Sequence, residues 1–139
     1  MSTGFVADAS VAIAWVVGSQ SSPSTNRLLS NVEAGASFLV PVLWMFEVAN
    51  SLLILRRRRR IESWEFEKAR QYLTDASPVL DDEGPRRALG DIAELAEKHA
   101  LSIYDAVYLE LALRRDLPLA SRDSALNKAA KRAGVRTLL

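Results

Sequence analysis

Short apolar runs alternate along the chain with longer segments whose apolar residues recur at three- and four-residue steps. That alternation is the pattern of βα units around a mostly parallel sheet, so an α/β fold is expected. Strands are predicted near Phe5 to Asp8, Ser37 to Val40, Val79 to Leu80, Leu117 to Ser121 and Val135 to Leu138. Helices fill the gaps. The first runs from Ser10 to about Val17, and the second from about Ser24 to Ala34 with Gly35 past its end. A third starts behind Pro41 and reaches the arginines, and a fourth spans about Ser63 to Asp75, stopping before Pro78. Another opens after Gly84-Pro85, where proline suits the first helical turn, and continues to about His99. Segments near Tyr104 to Arg114 and Ser124 to Ala133, the latter ended by Gly134, complete the set.

Composition narrows the class. With 139 residues the chain has the size of one domain, 1–139, and no repeat or low-complexity linker divides it. Apolar residues make up 49% and charged residues 25%, far from the signature of disorder. The absence of Cys excludes a disulfide framework and a thiolate metal site. The start Met1-Ser2-Thr3-Gly4-Phe5 lacks the basic and apolar regions of a signal peptide, and no apolar run approaches the ~18 residues of a membrane span. A cytoplasmic protein that makes no membrane contact is expected. The net charge of +1, from 18 basic and 17 acidic residues, does not mark a nucleic-acid binder, so charge distribution has to carry that question.

Four acids change the picture. Asp8 ends the apolar run Gly4 to Ala7, Asp105 opens a helix, and Asp123 follows the apolar stretch Leu117 to Ala120. Glu47 lies inside Leu43 to Leu53, where a lone carboxylate is expensive to bury. In an open α/β sheet, ligands bind outside the carboxyl ends of the strands, where Asp8 and Asp123 are expected, and Asp105 can point at the same edge. Asn50 stands three residues from Glu47, on the same helical stripe, with Ser51 beside it. Ser10 and Ser121 each stand two residues from an Asp, close enough to orient a carboxylate or a bound water. Carboxylate, amide and hydroxyl oxygens are hard ligands that suit Mg2+ or Mn2+, and with no Cys and one His zinc is disfavoured. Clustered carboxylates repel one another until a divalent cation neutralises them. Such a cation activates water and stabilises charge on a phosphate, which makes phosphodiester hydrolysis the natural reaction.

Each acid alone also has a structural reading. Ser102-Ile103-Tyr104-Asp105 is a capping pattern, Asp8 or Ser10 can cap the first helix, and Ser121 or Asp123 the last. Glu47 has a weaker excuse, a salt bridge to an arginine such as Arg56 or Arg57. The site therefore rests on the set. Arg56, Arg57, Arg58, Arg59 and Arg60 form an unbroken basic run at the expected end of the third helix. There, positive charge complements the helix dipole, and the default is a solvated end. The functional alternative is a contact for phosphate or for an acidic partner. His99 reads as a helix end, and Trp15, Trp44, Trp64, Phe46 and Phe66 read as core or subunit contacts rather than base-stacking platforms.

The same residues carry a resemblance that spans nearly the whole chain. Val6-Ala7-Asp8-Ala9-Ser10-Val11, Pro41 through Glu47-Val48-Ala49-Asn50, Ser102 through Asp105 to Ala112, and Leu119-Ala120-Ser121-Arg122-Asp123 resemble, in this order and spacing, the PIN-domain ribonucleases. The likeness is specifically to the VapC-type toxins of toxin-antitoxin pairs. It implies a three-layer α/β/α domain that binds Mg2+ or Mn2+ through Asp8, Glu47, Asp105 and Asp123 and cleaves RNA by water attack. Ser10, Asn50 and Ser121 match the supporting polar positions, with Ser121 where many relatives have Thr. It further implies a homodimer and a cognate antitoxin protein that covers the groove. The competing readings are a catalytically idle PIN-like module that binds RNA or protein, and a phosphotransfer enzyme with Asp8 as nucleophile.

Overall fold

Strand β1 (Phe5–Ala7) and strand β2 (Phe38–Pro41) are buried along their whole length, which fits the continuous apolar runs that build them. Strand β3 (Val79–Asp81) exposes Val79 and Leu80, and β4 is the short pair Leu119–Ala120. The computed structural model describes residues 4–139, and Met1 to Thr3, where the expected domain begins, lie outside the described residues. Among those described, the strand order is β3-β2-β1-β4 and every pairing is parallel.

Helices α1 (Ala9–Val16) and α2 (Pro23–Glu33) connect β1 to β2, and α3 (Val42–Arg57) and α4 (Ser63–Asp75) connect β2 to β3. Then α5 (Gly84–Arg87), α6 (Ala93–His99) and α7 (Ile103–Arg115) lead back to β4, and α8 (Ser124–Arg132) follows it. Parallel crossovers are right-handed, so the steps from β1 to β3, which run one way along the sheet, put α1 to α4 on one face. The return from β3 to β4 runs the other way and puts α5 to α7 on the opposite face. Packing agrees: α1 lies against α2, α3 and α4, while α7 lies against α6, α8 and strands β1, β2 and β4. The result is the expected three-layer α/β/α arrangement. Its strand order reverses between β1 and β4, which opens a crevice at their carboxyl ends.

Local chemistry sets the boundaries. Ser22 and Thr25 form a reciprocal cap at the start of α2, with Pro23 at the first helical position. Along α3, Trp44, Val48 and Leu52 recur every four residues and form the buried stripe. Each such side chain contributes about 1.5–3 kcal/mol by leaving water. Ala100 closes α6 in a left-handed conformation just after His99, so His99 does end a helix.

Two expected elements differ. The helix expected from Gly84 to His99 is interrupted by a π-type turn over Ala88–Ile92, where Gly90 leaves helical geometry at φ −110° and ψ −108°. The strand expected over Val135 to Leu138 is reduced to a single parallel bridge, Leu119 with Thr137. The backbone bonds Leu119 N to Arg136 O and Leu138 N to Leu119 O hold it there. Among the described residues, no helix is long and apolar enough to cross a membrane.

Candidate active site

Asp8 leaves β1 at the crevice and caps α1, accepting from the Val11 amide at 3.3 Å. Both its oxygens are also held by hydroxyls: Ser10 donates to Oδ1 and Ser121 to Oδ2, each at 2.5 Å. The turn after β4 locks those hydroxyls in turn. Arg122 N donates to Ser10 Oγ at 3.0 Å and Asp123 N to Ser121 Oγ at 2.9 Å. Ser121 is fully buried and Asp8 is 7% exposed, so this carboxylate sits in a nearly dry cradle. Burial pushes its pKa above the usual 3.8, against the opposing pull of the serine and Val11 bonds.

Asp123 caps α8 through the Leu126 amide at 2.9 Å, and Ser102 caps α7 through the Asp105 amide at 3.1 Å. The caps at Asp8, Ser102 and Asp123 are formed as expected, and the same helix starts bring these residues to the sheet edge. Asp105 has a raised pKa, first from burial and then from the charges of Asp123 and Asp8. Glu47 also has a raised pKa, again from burial first, with Asp8 and Asp105 adding to it. Asp105 thus lies within electrostatic reach of Asp123 and Asp8, and Glu47 within reach of Asp8 and Asp105.

The setting of Glu47 corrects one expectation. It is half-buried rather than enclosed, because Met45 and Phe46 beside it face outward, Phe46 at 70% exposure. Only every fourth residue of that apolar run enters the core. Of the aromatics expected as core or subunit contacts, Trp44 is in the core, whereas Phe46 and Trp64 are exposed.

A family model described as the PIN domain matches residues 5–132. The chain belongs to the PIN-domain family. No curated relative matches its sequence. Among solved structures it is similar to PAE2754 from Pyrobaculum aerophilum, with a TM-score of 0.72 at 21% identity over 99% of this chain and 92% of that one. It is also similar to FitAcB from Neisseria gonorrhoeae, with a TM-score of 0.65 at 15% identity over 97% of this chain and 96% of that one. At these identities the likeness is one of fold.

Within this PIN domain, the residues placed together are Asp8, Ser10, Ser121 and Asp123, joined by hydrogen bonds, with Asp105 and Glu47 joined to them by charge. Asn50 is exposed one turn beyond Glu47, and Arg56 to Arg60 lie at the far end of α3. As the side chains stand, no three of the described His, Asp or Glu residues are arranged to hold one metal ion. The donor set nonetheless fits a hard divalent cation. It offers oxygen only, its charges repel one another, and Mg2+ ordinarily uses one or two carboxylates and keeps several waters.

Sequence reasoning missed Tyr108 and Asn127. The Tyr108 hydroxyl, on a side chain 2% exposed, donates to Glu47 Oε1 at 2.5 Å. Burial and the Glu47 carboxylate push its pKa up, so it remains a donor. Asn127 donates to the Ser121 carbonyl at 2.9 Å. The available signal was spacing, since Tyr108 follows Asp105 by three residues and Asn127 follows Asp123 by four.

Proposed function

We propose that this PIN domain, taken as one unit over residues 1–139, is a Mg2+- or Mn2+-dependent endoribonuclease. We further propose that it is the VapC-type toxin of a toxin-antitoxin pair, acting in the cytoplasm. The observation that carries the reading is the gathering of Asp8, Glu47, Asp105 and Asp123 at the crevice between β1 and β4, with raised pKa values at the first three. Burying and crowding anions costs stability, and a divalent cation offsets that cost.

Asp8, Glu47, Asp105 and Asp123 would hold the metal. A bound Mg2+ or Mn2+ supplies a water of lowered pKa and charge to stabilise a phosphate under attack. Ser10 and Ser121 fix the Asp8 carboxylate in one orientation, Tyr108 fixes Glu47, and Asn50 offers an amide at the exposed margin. Since Mg2+ ordinarily takes only one or two carboxylates, any of the four that it left free would accept the proton of the attacking water. The substrate of this reading is RNA.

The homodimer and the antitoxin belong to the same reading, and exposed apolar surface supports protein partners. An apolar groove is lined by Pro41, Phe46, Pro85, Ala88, Ile103 and Tyr104, of which Phe46 and Tyr104 directly precede Glu47 and Asp105 in the chain, and Leu89, which follows Ala88, is 98% exposed. The second reading, a catalytically idle module, draws on the acids not being closed around one point.

Cleavage of a mixed RNA pool by purified chain separates the two readings, with Mn2+, with Mg2+ and with EDTA, beside Asp8→Ala and Asp105→Ala. The nuclease reading expects metal-dependent cuts that fall at least a hundredfold in both variants. Calorimetric titration of Mn2+ into the same samples decides a result with no cuts. Metal binding lost in the variants keeps the enzyme with a narrow target, and no binding in the wild type leaves the idle module.

A further inference from the structure

The basic run on α3 has more charge than its structural role uses. Arg56 and Arg57 occupy the last turn of the helix, where they complement its dipole, but Arg58 is the cap and Arg59 and Arg60 lie beyond it. No ion pair among the described residues involves Arg56 to Arg60; Arg27, Arg115, Arg122, Arg132 and Arg136 are likewise without one, but Arg56 to Arg60 are consecutive and so concentrate their charge. Arg57 to Arg60 are exposed. Five unpaired guanidinium groups in a chain of net charge +1 are a strong local excess.

The run is also connected to the acids. From Glu47, steps of three, four and three residues along α3 reach Asn50, Ile54 and Arg57, all three exposed, so they form one outward stripe. At about 1.5 Å per residue the stripe is about 15 Å long. About five stacked nucleotides at roughly 3.4 Å each cover that distance, fewer if the strand is extended.

We propose that Arg56 to Arg60 form a phosphate-binding shelf for single-stranded RNA, holding the strand a few nucleotides from the bond cut at the acids, with the exposed stripe of α3 as the path between. The proposal rests on the nuclease reading for its substrate. RNA is favoured over an acidic protein because a polyanion engaged at the acids must continue across the surface, and the stripe leads from one site to the other.

The test is equilibrium binding of a fluorescent oligouridylate to the full chain in EDTA, where nothing is cut, over a series of salt concentrations. The variants are Arg57→Gln/Arg58→Gln/Arg60→Gln and the same three positions changed to Lys. The expected result is that the Gln variant binds about tenfold more weakly at low salt. Its slope of log affinity against log salt becomes shallower by about 2, since each lost phosphate contact on a single strand removes about 0.7. The Lys variant keeps most of both, and all three proteins melt alike. Equal affinity and slope in wild type and Gln variant would overturn the proposal. So would tight binding of polyglutamate but not of oligouridylate, which assigns the shelf to an acidic protein. Metal-dependent cutting with unchanged RNA affinity in the Gln variant removes the shelf and leaves the nuclease. Arginine-dependent binding without cutting in any divalent metal does the reverse.

Discussion

The Tyr108 hydroxyl crosses from α7 to α3 to reach Glu47, and its ring belongs to the same core as β1 and β2. That combination lets one residue fix a carboxylate from a rigid base, as residues behind metal ligands do. In Tyr108→Phe the ring stays and the bond goes. The expected outcome is a fall of about tenfold or more in Mn2+ affinity by calorimetry, with unfolding free energy changed by only about 1 kcal/mol. Equal Mn2+ affinity in the two proteins would mean that Glu47 needs no such support. This residue was hidden in the sequence because its partner is 61 positions away and an aromatic in an apolar helix reads as core. Asp8, Asp105 and Asp123 were legible for the opposite reason. Each marks a helix start, and in a parallel sheet helix starts collect at the edge where ligands bind.

At the scale of elements, the exposed edge strand β3 is tied down by charge. Asp81 at its end receives two bonds from Arg114, at 2.9 and 2.8 Å, and Arg114 Nε reaches Glu110 at 2.9 Å, with both carboxylates buried. Replacing Arg114 with Met leaves Asp81 and Glu110 buried without their partner, and a loss of about 3–5 kcal/mol is expected. The pH dependence carries a sign. Arg114 holds the Asp81 pKa below 3.8 in the folded protein, so the stabilisation is complete above 3.8 and disappears as pH falls through the folded value. Urea unfolding should therefore separate the two proteins widely near pH ~7, with a gap that narrows progressively as pH is taken down below 3.8. An undiminished gap in acid would place the cost in packing and not in the ion pair. The sequence holds half of this cluster as an i,i+4 pair, Glu110 and Arg114, while Asp81 joins only through the fold. The same division governs the helices. Ser63–Asp75 was legible to the residue, since its signals are local. The break falls on Gly90, whose missing side chain is a local signal for it, whereas the shrinking of the last strand to one bridge depends on Leu119, distant in sequence.

For the whole molecule, the near-neutral net charge conceals a separation between an acidic crevice and a basic helix end. Without a cation the folded state bears the crevice's cost, with burial raising the pKa of Asp8, Glu47 and Asp105. A metal that binds only the folded state adds about 2.7 kcal/mol at a concentration a hundred times its Kd. For a chain of this size that corresponds to a rise in Tm of roughly 8 °C. Asp8→Asn removes the buried charge and keeps the shape of the cradle once one serine hydroxyl rotates to accept from the new amide, so the metal-free variant should melt a few degrees above the metal-free wild type. It should also gain little from Mn2+ and lose cleavage. The two effects oppose each other, which makes the comparison decisive. A variant that melts below wild type in EDTA, yet gains the full increment from Mn2+, would show that the Asp8 charge serves the fold and that the metal is held elsewhere. The expected crossing, with the variant more stable in EDTA and less stable in Mn2+, would show stability given up at this crevice for the ability to bind a cation.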